Sequence, residues 1–321
     1  MKVSFIIPLY NCLSLTQAML ASLRETLPPG MTCEIIFVDD GSTDRTRDWL
    51  ATLPAPCRAI LNEKNLGFAG ASNRGAAAAQ GEFLFFLNND LVLLPHWLEP
   101  MLAAFTHFPA AGLVGNVQLL FANRELDHAG IVIGADSKPR HLKTRPAGSP
   151  TAPGYAAMPA VTGACLGIPR ELFARLGGFD EDFKNGGEDV DLCFRARGVA
   201  RTTCTALEST VLHHVSASPG RKSHNEVNSY RLFRKWRDLL EREAWSAWCE
   251  TYLANTRAGT IPRHPQAENA AEKFLRRRKS HPGCWAESNV RQNLFIEEER
   301  WERMFPEVSN ALATPARYPL S

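Results

Sequence analysis

The chain has 321 residues, of which 45% are hydrophobic and 22% charged, as expected for a soluble globular protein of one or two domains. Its formal net charge of +2 gives no electrostatic case for a nucleic-acid partner. No segment has the roughly 20 apolar residues needed to cross a bilayer, and no signal-peptide cleavage site follows the first apolar run. We therefore expect a cytoplasmic protein with reduced cysteines. The sequence leaves open whether the protein contacts the inner membrane face peripherally and whether it forms a homo-oligomer.

Strand and helix signals alternate over the first part of the chain, which predicts a mostly parallel sheet flanked by helices. The predicted strands cover residues 3–9, 34–38, 58–62 and 82–87. The predicted helices cover residues 13–27, 42–53, 67–80 and 95–108. The expected fold class is therefore α/β, with ligands bound at the carboxyl ends of the strands.

The rest of the chain has a less regular pattern. Residues 137–159 are rich in proline and predict a long loop, which is a candidate lid. Beyond it, the pattern predicts two strands within 201–213 and helices at 169–176, 188–197, 225–249, 266–279 and 289–304. We expect a first domain at 1–240, divided into a nucleotide-binding half (1–115) and an acceptor half (116–240). A helical extension should follow at 241–321.

Polar residues stand directly after the predicted strands. Asp39 and Asp40 end the second strand, where a carboxylate can accept hydrogen bonds from a nucleobase or ribose, or can cap the turn. Asn88, Asn89 and Asp90 end the fourth strand. An aspartate there, helped by a diphosphate, could hold Mg²⁺ or Mn²⁺, whereas the alternative is an ordinary Asn-Asp turn.

Three further segments carry candidate residues. Glu188, Asp189 and Asp191 lie in the first turn of a predicted helix, where one carboxylate could be a general base or all could simply stabilise the helix. His213 and His214 close the last predicted strand and could complete a metal site. The glycine-rich segment 65–75 matches neither a dinucleotide fingerprint nor a P-loop. Asn73 and Arg74 are its polar candidates for nucleotide contact, and the alternative is that its glycines serve merely for close packing of helix and sheet.

These segments, in this order, resemble family 2 glycosyltransferases with the GT-A type fold, and within them the bacterial rhamnosyltransferase-like branch. The resemblance covers about residues 2–240. The segments that carry it are Pro8-Leu-Tyr-Asn11, Val38-Asp-Asp-Gly-Ser-Thr-Asp44, Asn65-Leu-Gly-Phe-Ala-Gly70 to Asn73, Leu87-Asn-Asn-Asp90, Thr162-Gly-Ala-Cys165, Gly177-Gly-Phe-Asp-Glu181, Glu188-Asp-Val-Asp191 and His213-His214.

The resemblance implies an inverting glycosyltransferase of polysaccharide biosynthesis, assisted by Mn²⁺ or Mg²⁺. A nucleotide-sugar would be the donor, and a hydroxyl of a glycan or lipid-linked glycan the acceptor. Asp189 would be the general base, with Glu188 helping to position the base or acceptor. Asp90 and His213, or alternatively His214, would bind the metal. The implied donor-binding residues are Pro8, Tyr10, Asn11, Asp39, Asp40, Asn65, Gly67, Asn73, Arg74 and Asn89, and the implied acceptor-binding residues are Thr162, Gly163 and Asp180.

Two other classes of protein remain to be weighed. A nucleotidyltransferase would need a glycine-rich loop with basic residues after the first strand, where this chain has Tyr10, Asn11 and Cys12. A non-catalytic sugar-binding or scaffold protein on the same fold is the main alternative. The basic segment 273–279 could bind anionic lipid headgroups or a lipid diphosphate, or could be a solvated helix face.

Overall fold

The apolar run Val3–Leu9 forms strand β1, in which every residue is buried. In the computed structural model, which describes residues 2–214, 224–277 and 284–311, β1 lies between β2 (Cys33–Asp39) and β4 (Phe83–Leu87). Strand β3 (Cys57–Leu61) pairs with β2, and these pairings are all parallel. The carboxyl ends of these strands therefore meet at one edge of the sheet, as the alternating pattern predicts.

Helices connect these strands: α1 (Leu13–Thr26), α2 (Thr46–Leu50) and α3 (Gly67–Ala78). Prolines 28 and 29 follow α1 and end it, because proline cannot continue the hydrogen-bonded ladder. The second helix is shorter than predicted, since residues 42–45 form a turn instead. Helix α3 lies close to the sheet at Gly75, where a Cβ would be 2.5 Å from Ile6 Cγ2. Close packing is thus confirmed for this glycine.

The other half of the sheet is mixed. The sheet order is β10-β12-β6-β11-β4-β1-β2-β3, and two short strands, β5 and β7, pair with β12 and β6. Strand β11 is antiparallel to both of its neighbours, whereas β6 and β12 are parallel. These strands are β5 (Leu91–Leu93), β6 (Ala111–Leu120), β7 (Leu126–His128), β10 (Tyr155–Ala157), β11 (Cys165–Pro169) and β12 (Thr202–His213). The accompanying helices are α4 (Leu98–His107), α5 (Arg170–Arg175) and α6 (Glu188–Arg197).

Two predictions for this half were wrong. Residues 202–213 form one strand instead of two, with a register shift between Ala206 and Thr210 that interrupts the alternation of side chains. The segment 137–159 is not a plain loop, because it contains β10 and part of a small hairpin. That hairpin pairs β8 (Ile131–Ile133) with β9 (Pro139–His141).

An aromatic cluster fills the core beneath the parallel strands. The ring centroid of Phe5 lies 6.0 Å from that of Phe85 and 6.1 Å from that of Trp97, and all three side chains are fully buried. Burial of one large apolar side chain contributes about 1.5–3 kcal/mol. This packing therefore stabilises the strands that lead to the polar edge of the sheet.

The chain divides into two compact units. Among the described residues, the first unit contains 2–131, 141–214 and residue 224, and the second contains 132–140, 225–277 and 284–311. Residue 240, where the sequence places the end of the first domain, lies inside helix α7 (Asn225–Arg257). The units divide before this helix begins.

The second unit is helical apart from the tip of the small hairpin. Its helices are α7, α8 (Pro265–Arg277), α9 (Cys284–Met304) and α10 (Pro306–Ala311). Helix α7 is kinked at Trp236. The ring of Trp301 stacks on Tyr230 at 5.7 Å, and Lys138 of the hairpin lies 5.3 Å above the Trp301 ring. Part of the basic segment 273–279 falls in α8, and its last two residues lie outside the described part of the chain.

In the described parts of the chain, no helix is long and apolar enough to span a bilayer. The cysteines whose side chains the structure describes are free thiols. Burial raises the pKa of the Cys193 thiol to about 12, which makes this thiol unreactive at neutral pH.

Candidate active site

The ends of β1 and β2 are joined through their backbones. Leu9 and Asp39 are register partners, and the amide of Asp40 donates to the carbonyl of Leu9 at 2.8 Å. The amide of Asn62, just beyond β3, donates to the carbonyl of Asp39 at 2.8 Å. The three strand ends thus form a continuous polar edge.

Asp39 is fully buried and paired with a cation. The Nε of Arg47 donates to its Oδ2 at 2.6 Å, and the amide of Ser42 donates to both carboxylate oxygens at 3.3 Å. Arg47 also donates to the carbonyl of Asn62 at 2.6 Å. Through Arg47, the Asp39 carboxylate therefore connects the turn after β2 with the end of β3.

Asp40 accepts hydrogen bonds on both oxygens. The side-chain amide of Asn62 donates to Oδ1 at 2.7 Å, and the backbone amides of Leu66 and Gly67 donate to Oδ1 and Oδ2 at 2.8 Å each. The next amide, that of Phe68, donates to the side chain of Asn185 at 3.1 Å. The first amides of α3 thus already have side-chain acceptors, so in this arrangement they are not free to bind a phosphate.

The loop after β1 contacts the loop after β2. The side-chain oxygen of Asn11 accepts from the amides of Thr43 at 2.8 Å and Asp44 at 3.2 Å, while its own amide donates to Ser42 Oγ at 2.7 Å. Asn11 has φ 56°, a left-handed conformation that asparagine tolerates. Tyr10 is 45% exposed beside it, and Pro8 is buried within β1.

The remaining donor-binding candidates make contacts within the protein. Asn73 donates to the carbonyl of Phe179 and accepts from its amide, at 2.9 and 2.8 Å, so it holds the loop after α5. Arg74 donates to Asn62 Oδ1 at 2.6 Å. The exposed Asn65 accepts from the amide of Gly67 at 3.1 Å. Their nucleotide contacts stay predictions.

Asp90 and His213 come together although they are far apart in sequence. Nε2 of His213 lies 3.1 Å from Oδ1 of Asp90, and both side chains are nine-tenths buried or more. The contact is poorly directed for a hydrogen bond, and Nε2 makes none. The other ring nitrogen, Nδ1, lies 3.1 Å from Oε1 of Gln118. Asn89 points elsewhere, since its amide donates to Thr16 Oγ1 at 3.0 Å.

His214 is placed differently from His213. Its amide donates to the carbonyl of Asp90 at 3.1 Å, while its ring stacks on the half-exposed Phe121 at 3.9 Å. Of the two histidines, His213 is the one whose ring faces the Asp90 carboxylate. In the described ranges, no group of three or more His, Cys, Asp or Glu side chains could hold a metal. Among the described residues, Asp90 and His213 are thus one carboxylate and one imidazole that could contribute to a metal site.

The acidic residues of α6 lie beside the 162–164 loop. Oδ2 of Asp189 accepts from the amide of Gly163 at 2.9 Å, and Oδ1 accepts from the amide of Val190 at 2.8 Å. Glu188 is buried and accepts from the amide of Gly186 at 2.7 Å. Asp191, also buried, pairs with Arg195 at 2.8 Å in a structural contact.

Of the acceptor-binding candidates, Gly163 contacts Asp189 directly. A Cβ on this glycine would lie 3.0 Å from the ring of Phe68. Thr162 is buried and bonds the amide of Ala164 at 3.3 Å. Asp180 accepts from the amide of Asp182 at 3.1 Å. The amide of Asn88 donates to the carbonyl of Ala164 at 2.9 Å, so this loop lies beside the segment that carries Asp90.

Sequence reasoning missed four residues of this region: Arg47, Asn62, Gln118 and Asn185. Arg47 and Asn62 lie close to motif residues, so their chemistry could have been suspected. Gln118 lies in β6, which the pattern did not predict, and the only signal was a polar side chain inside an apolar run. Asn185 directly precedes the two glycines before α6 and has φ 53°.

Curated relatives are larger than this chain. The O-antigen biosynthesis protein RfbC of Myxococcus xanthus is 34% identical over 250 residues, which is 73% of this chain and 19% of that protein. The validoxylamine A glucosyltransferase of Streptomyces hygroscopicus subsp. jinggangensis is 28% identical over 268 residues, covering 76% of this chain and 63% of that protein. The chain thus spans less than two thirds of either relative.

Solved structures of similar fold show the GT-A type architecture. A crystal structure of GalNAc-T7 with UDP, GalNAc and Mn²⁺ has a TM-score of 0.62 at 18% identity, covering 76% of this chain and 50% of that chain. The mannosyltransferase PcManGT from Pyrobaculum calidifontis, in complex with GDP-Man and Mn²⁺, has a TM-score of 0.53 at 19% identity, covering 97% of this chain and 80% of that chain. The predicted fold class is confirmed.

A sequence profile described as glycosyl transferase family 2 matches residues 4–177, more than half of the 321-residue chain. This range includes the strand ends around Asp39, Asp40 and Asp90. The family prediction is confirmed, and the rhamnosyltransferase-like branch stays a prediction. The chain belongs to glycosyl transferase family 2.

Proposed function

We propose that the chain is a glycosyltransferase that moves a sugar from a nucleotide-sugar to a hydroxyl of a glycan or lipid-linked glycan, with inversion at the anomeric carbon. The 3.1 Å approach of Asp90 Oδ1 and His213 Nε2 is the observation that carries this proposal. Membership of family 2 and the similarity to an O-antigen biosynthesis protein and a glucosyltransferase support it.

The Asp90–His213 pair fits a divalent cation. A carboxylate oxygen and an imidazole nitrogen both suit Mn²⁺, and Mg²⁺ favours the oxygen. Both similar structures hold Mn²⁺ together with a nucleotide or nucleotide-sugar. When bound, the cation would act as a Lewis acid that neutralises charge on the leaving diphosphate.

Asp189 would be the general base. Its carboxylate lies in the first turn of α6, where the helix dipole favours the ionised form, and the amides of Gly163 and Val190 fix its orientation. A carboxylate held in this way can take a proton from an acceptor hydroxyl as the hydroxyl attacks. Glu188, buried beside it, would help to hold the base or the acceptor in place.

We further propose contacts for the donor and the acceptor, the location of the protein and the bounds of its domains. Asp40 and the loop that contains Tyr10 and Asn11 would contact the nucleotide, and Thr162, Gly163 and Asp180 would contact the acceptor. We place the protein in the cytoplasm, and a peripheral contact with the inner membrane face stays open. A glycosyltransferase domain would span 1–240, with the helical extension from 241 to 321.

Nucleotide binding tests the proposal directly. Purified protein is titrated with UDP, GDP and TDP, with and without Mn²⁺, by calorimetry. We expect one nucleotide to bind in a Mn²⁺-dependent manner, and we expect Asp90→Asn to abolish the Mn²⁺ dependence. Asp238→Asn, an exposed aspartate of the helical unit, is the matched control and should bind as the wild type does.

A different result would change the conclusion. If the wild type binds no diphosphate with or without Mn²⁺, the function moves to the alternative of a non-catalytic sugar-binding or scaffold protein. Once a donor is known, ¹H NMR of the fresh product reports its anomeric configuration. Retention of configuration would overturn the inverting mechanism.

A further inference from the structure

Gln118 lies in the buried middle of β6, with 1% of its surface exposed, and its side chain reaches His213. We propose that Gln118 is a positioning residue that fixes the His213 ring in the tautomer protonated at Nδ1, so that the lone pair of Nε2 points at the metal position beside Asp90. This inference rests on the proposed function, because it assigns Nε2 the role of a metal ligand.

The placement of the Gln118 amide indicates which ring nitrogen of His213 carries the proton. Gln118 Nε2 donates to Oδ1 of Asn116 at 3.4 Å, which leaves Oε1 facing His213 Nδ1 at 3.1 Å. A carboxamide oxygen can only accept, so in this arrangement Nδ1 of His213 carries the proton. In a neutral imidazole the lone pair is then on Nε2.

Strand pairing fixes the distance between the two side chains. Gln118 pairs with Val211 of β12, and His213 pairs with Leu120 of β6, so the two side chains are diagonal neighbours in the sheet. On its other side, Gln118 pairs with His128 of β7. With strands on both sides and almost no exposure, Gln118 has little freedom to rotate away.

The other tautomer would damage the metal site. With the proton on Nε2, an N–H group instead of a lone pair would face the metal position beside Oδ1 of Asp90, which lies 3.1 Å away. His213 could then not bind a cation through Nε2. An acceptor at Nδ1 prevents this, in the way that outer hydrogen bonds commonly orient metal-binding histidines.

The tautomer can be measured in the metal-free protein. Long-range ¹H–¹⁵N spectra of ¹⁵N-histidine-labelled protein distinguish the two ring nitrogens, and a His213→Gln sample identifies the signal of His213 among the nine histidines. We expect the Nδ1–H tautomer in the wild type and in Gln118→Glu, which keeps an acceptor. We expect the Nε2–H tautomer to dominate in Gln118→Met, which has a similar shape and no carboxamide oxygen.

Metal affinity gives the second measurement. Mn²⁺ is titrated by electron paramagnetic resonance in the presence of the nucleotide that the wild type binds. We expect Gln118→Met to weaken Mn²⁺ binding about 10- to 100-fold, the usual effect of losing such a partner. Gln118→Glu should restore it. Val117→Ala, a buried neighbour on the same strand, controls for loss of packing and should leave both the tautomer and the affinity unchanged.

The outcomes separate the two proposals. If the wild type binds no Mn²⁺ with any diphosphate, the proposed function fails and the role of Gln118 fails with it. If the wild type binds Mn²⁺ and Gln118→Met binds it equally well, or if wild-type His213 is protonated at Nε2, only the Gln118 proposal fails. Should Gln118→Met not fold, Gln118→Asn keeps the amide and withdraws its oxygen from His213, and the same criteria apply.

Discussion

Asp39 ends strand β2 and Asp90 follows strand β4, and the two carboxylates have different neighbours. Asp39 is paired with Arg47 at 2.6 Å and accepts from the amide of Ser42. Asp90 instead faces the ring of His213, whose Nε2 makes no hydrogen bond. Both side chains are at least nine-tenths buried, so burial does not separate them.

Because the neighbouring groups differ, we expect substitutions at the two strand ends to have different consequences. A buried carboxylate paired with a guanidinium stabilises the fold, and removing the partner leaves an uncompensated charge. A carboxylate oxygen that lies beside an imidazole nitrogen instead offers two atoms that could bind the same metal ion. We therefore expect substitutions around Asp39 to lower stability, and substitutions at the proposed reaction centre to lower activity or binding.

The largest effect should come from substitution of Asp189, the proposed general base. Like Asp90, Asp189 is expected to affect activity more than stability. Asp189→Asn should lower kcat by roughly 10²- to 10⁴-fold, because an amide cannot take the proton from the acceptor hydroxyl. Affinity for nucleotide with Mn²⁺ should be unchanged. Sugar transfer is measured in steady state, with Asp182→Asn, an exposed aspartate of the segment before α6, as control. Turnover close to that of the wild type would remove Asp189 from the mechanism.

On the stability side of the comparison, Arg47→Met should lower the free energy of unfolding by about 1.5–3 kcal/mol, the usual contribution of hydrogen bonds to a charged group. The reason is that Asp39 has no exposed surface and would lose its cation. Urea unfolding measures the change, and Arg45→Met, an exposed neighbour, is the control. A loss equal to that of the control would show that the ion pair does not stabilise the fold.

The smallest effect concerns Glu34, at the opposite end of β2. Burial acts to raise the pKa of this carboxyl, but hydrogen bonds from Ser4, the amide of Gln80 and Arg58 outweigh it, so the pKa lies below its ordinary value of 4.5. Because the folded-state pKa is lowered, the stabilisation is present above about pH 4.5 and is lost as the pH falls through the folded-state pKa.

The stability difference between wild type and Glu34→Gln should therefore be largest at pH 7 and should shrink as the pH falls below about 4.5. Urea unfolding at several pH values between 7 and 3 measures this difference. Asp238→Asn should show no such trend, and a difference for Glu34→Gln that is independent of pH would contradict the prediction.

The parallel half of the sheet could be predicted because its strands are mostly apolar and end at, or are followed by, polar residues. Strand β1 is the best case, and its bounds agree with the prediction. Strand β6 was missed because Gly112, Gly115, Asn116 and Gln118 interrupt its apolar pattern. Strand β11 was missed because it is short and contains Gly167 and Pro169.

The residues of the candidate site were chosen from the sequence and their roles stay predictions, whereas most of their contacts could not be anticipated. The resemblance assigned Asp90 and His213 to one metal, and the structure places them together. The engagement of Asn73 with Phe179 depends on contacts between segments 106 residues apart, which no local pattern encodes. Gln118 could not be predicted for the same reason, since its proposed role depends on the pairing of β6 with β12.

The pairing of β5 with β12 has a consequence for insertions and deletions. His213 pairs with Leu91, the residue after Asp90, so one short antiparallel ladder fixes the spacing of the two side chains. Adding or removing one residue in Leu91–Leu93 would move the chain by about 3.3 Å and turn the side chains that follow to the opposite face. The turn at 121–125 lies outside this ladder and can change length without displacing these side chains. Relatives that use an equivalent aspartate and histidine together should therefore align without gaps across β5 and the end of β12, whatever the lengths of the loops between them.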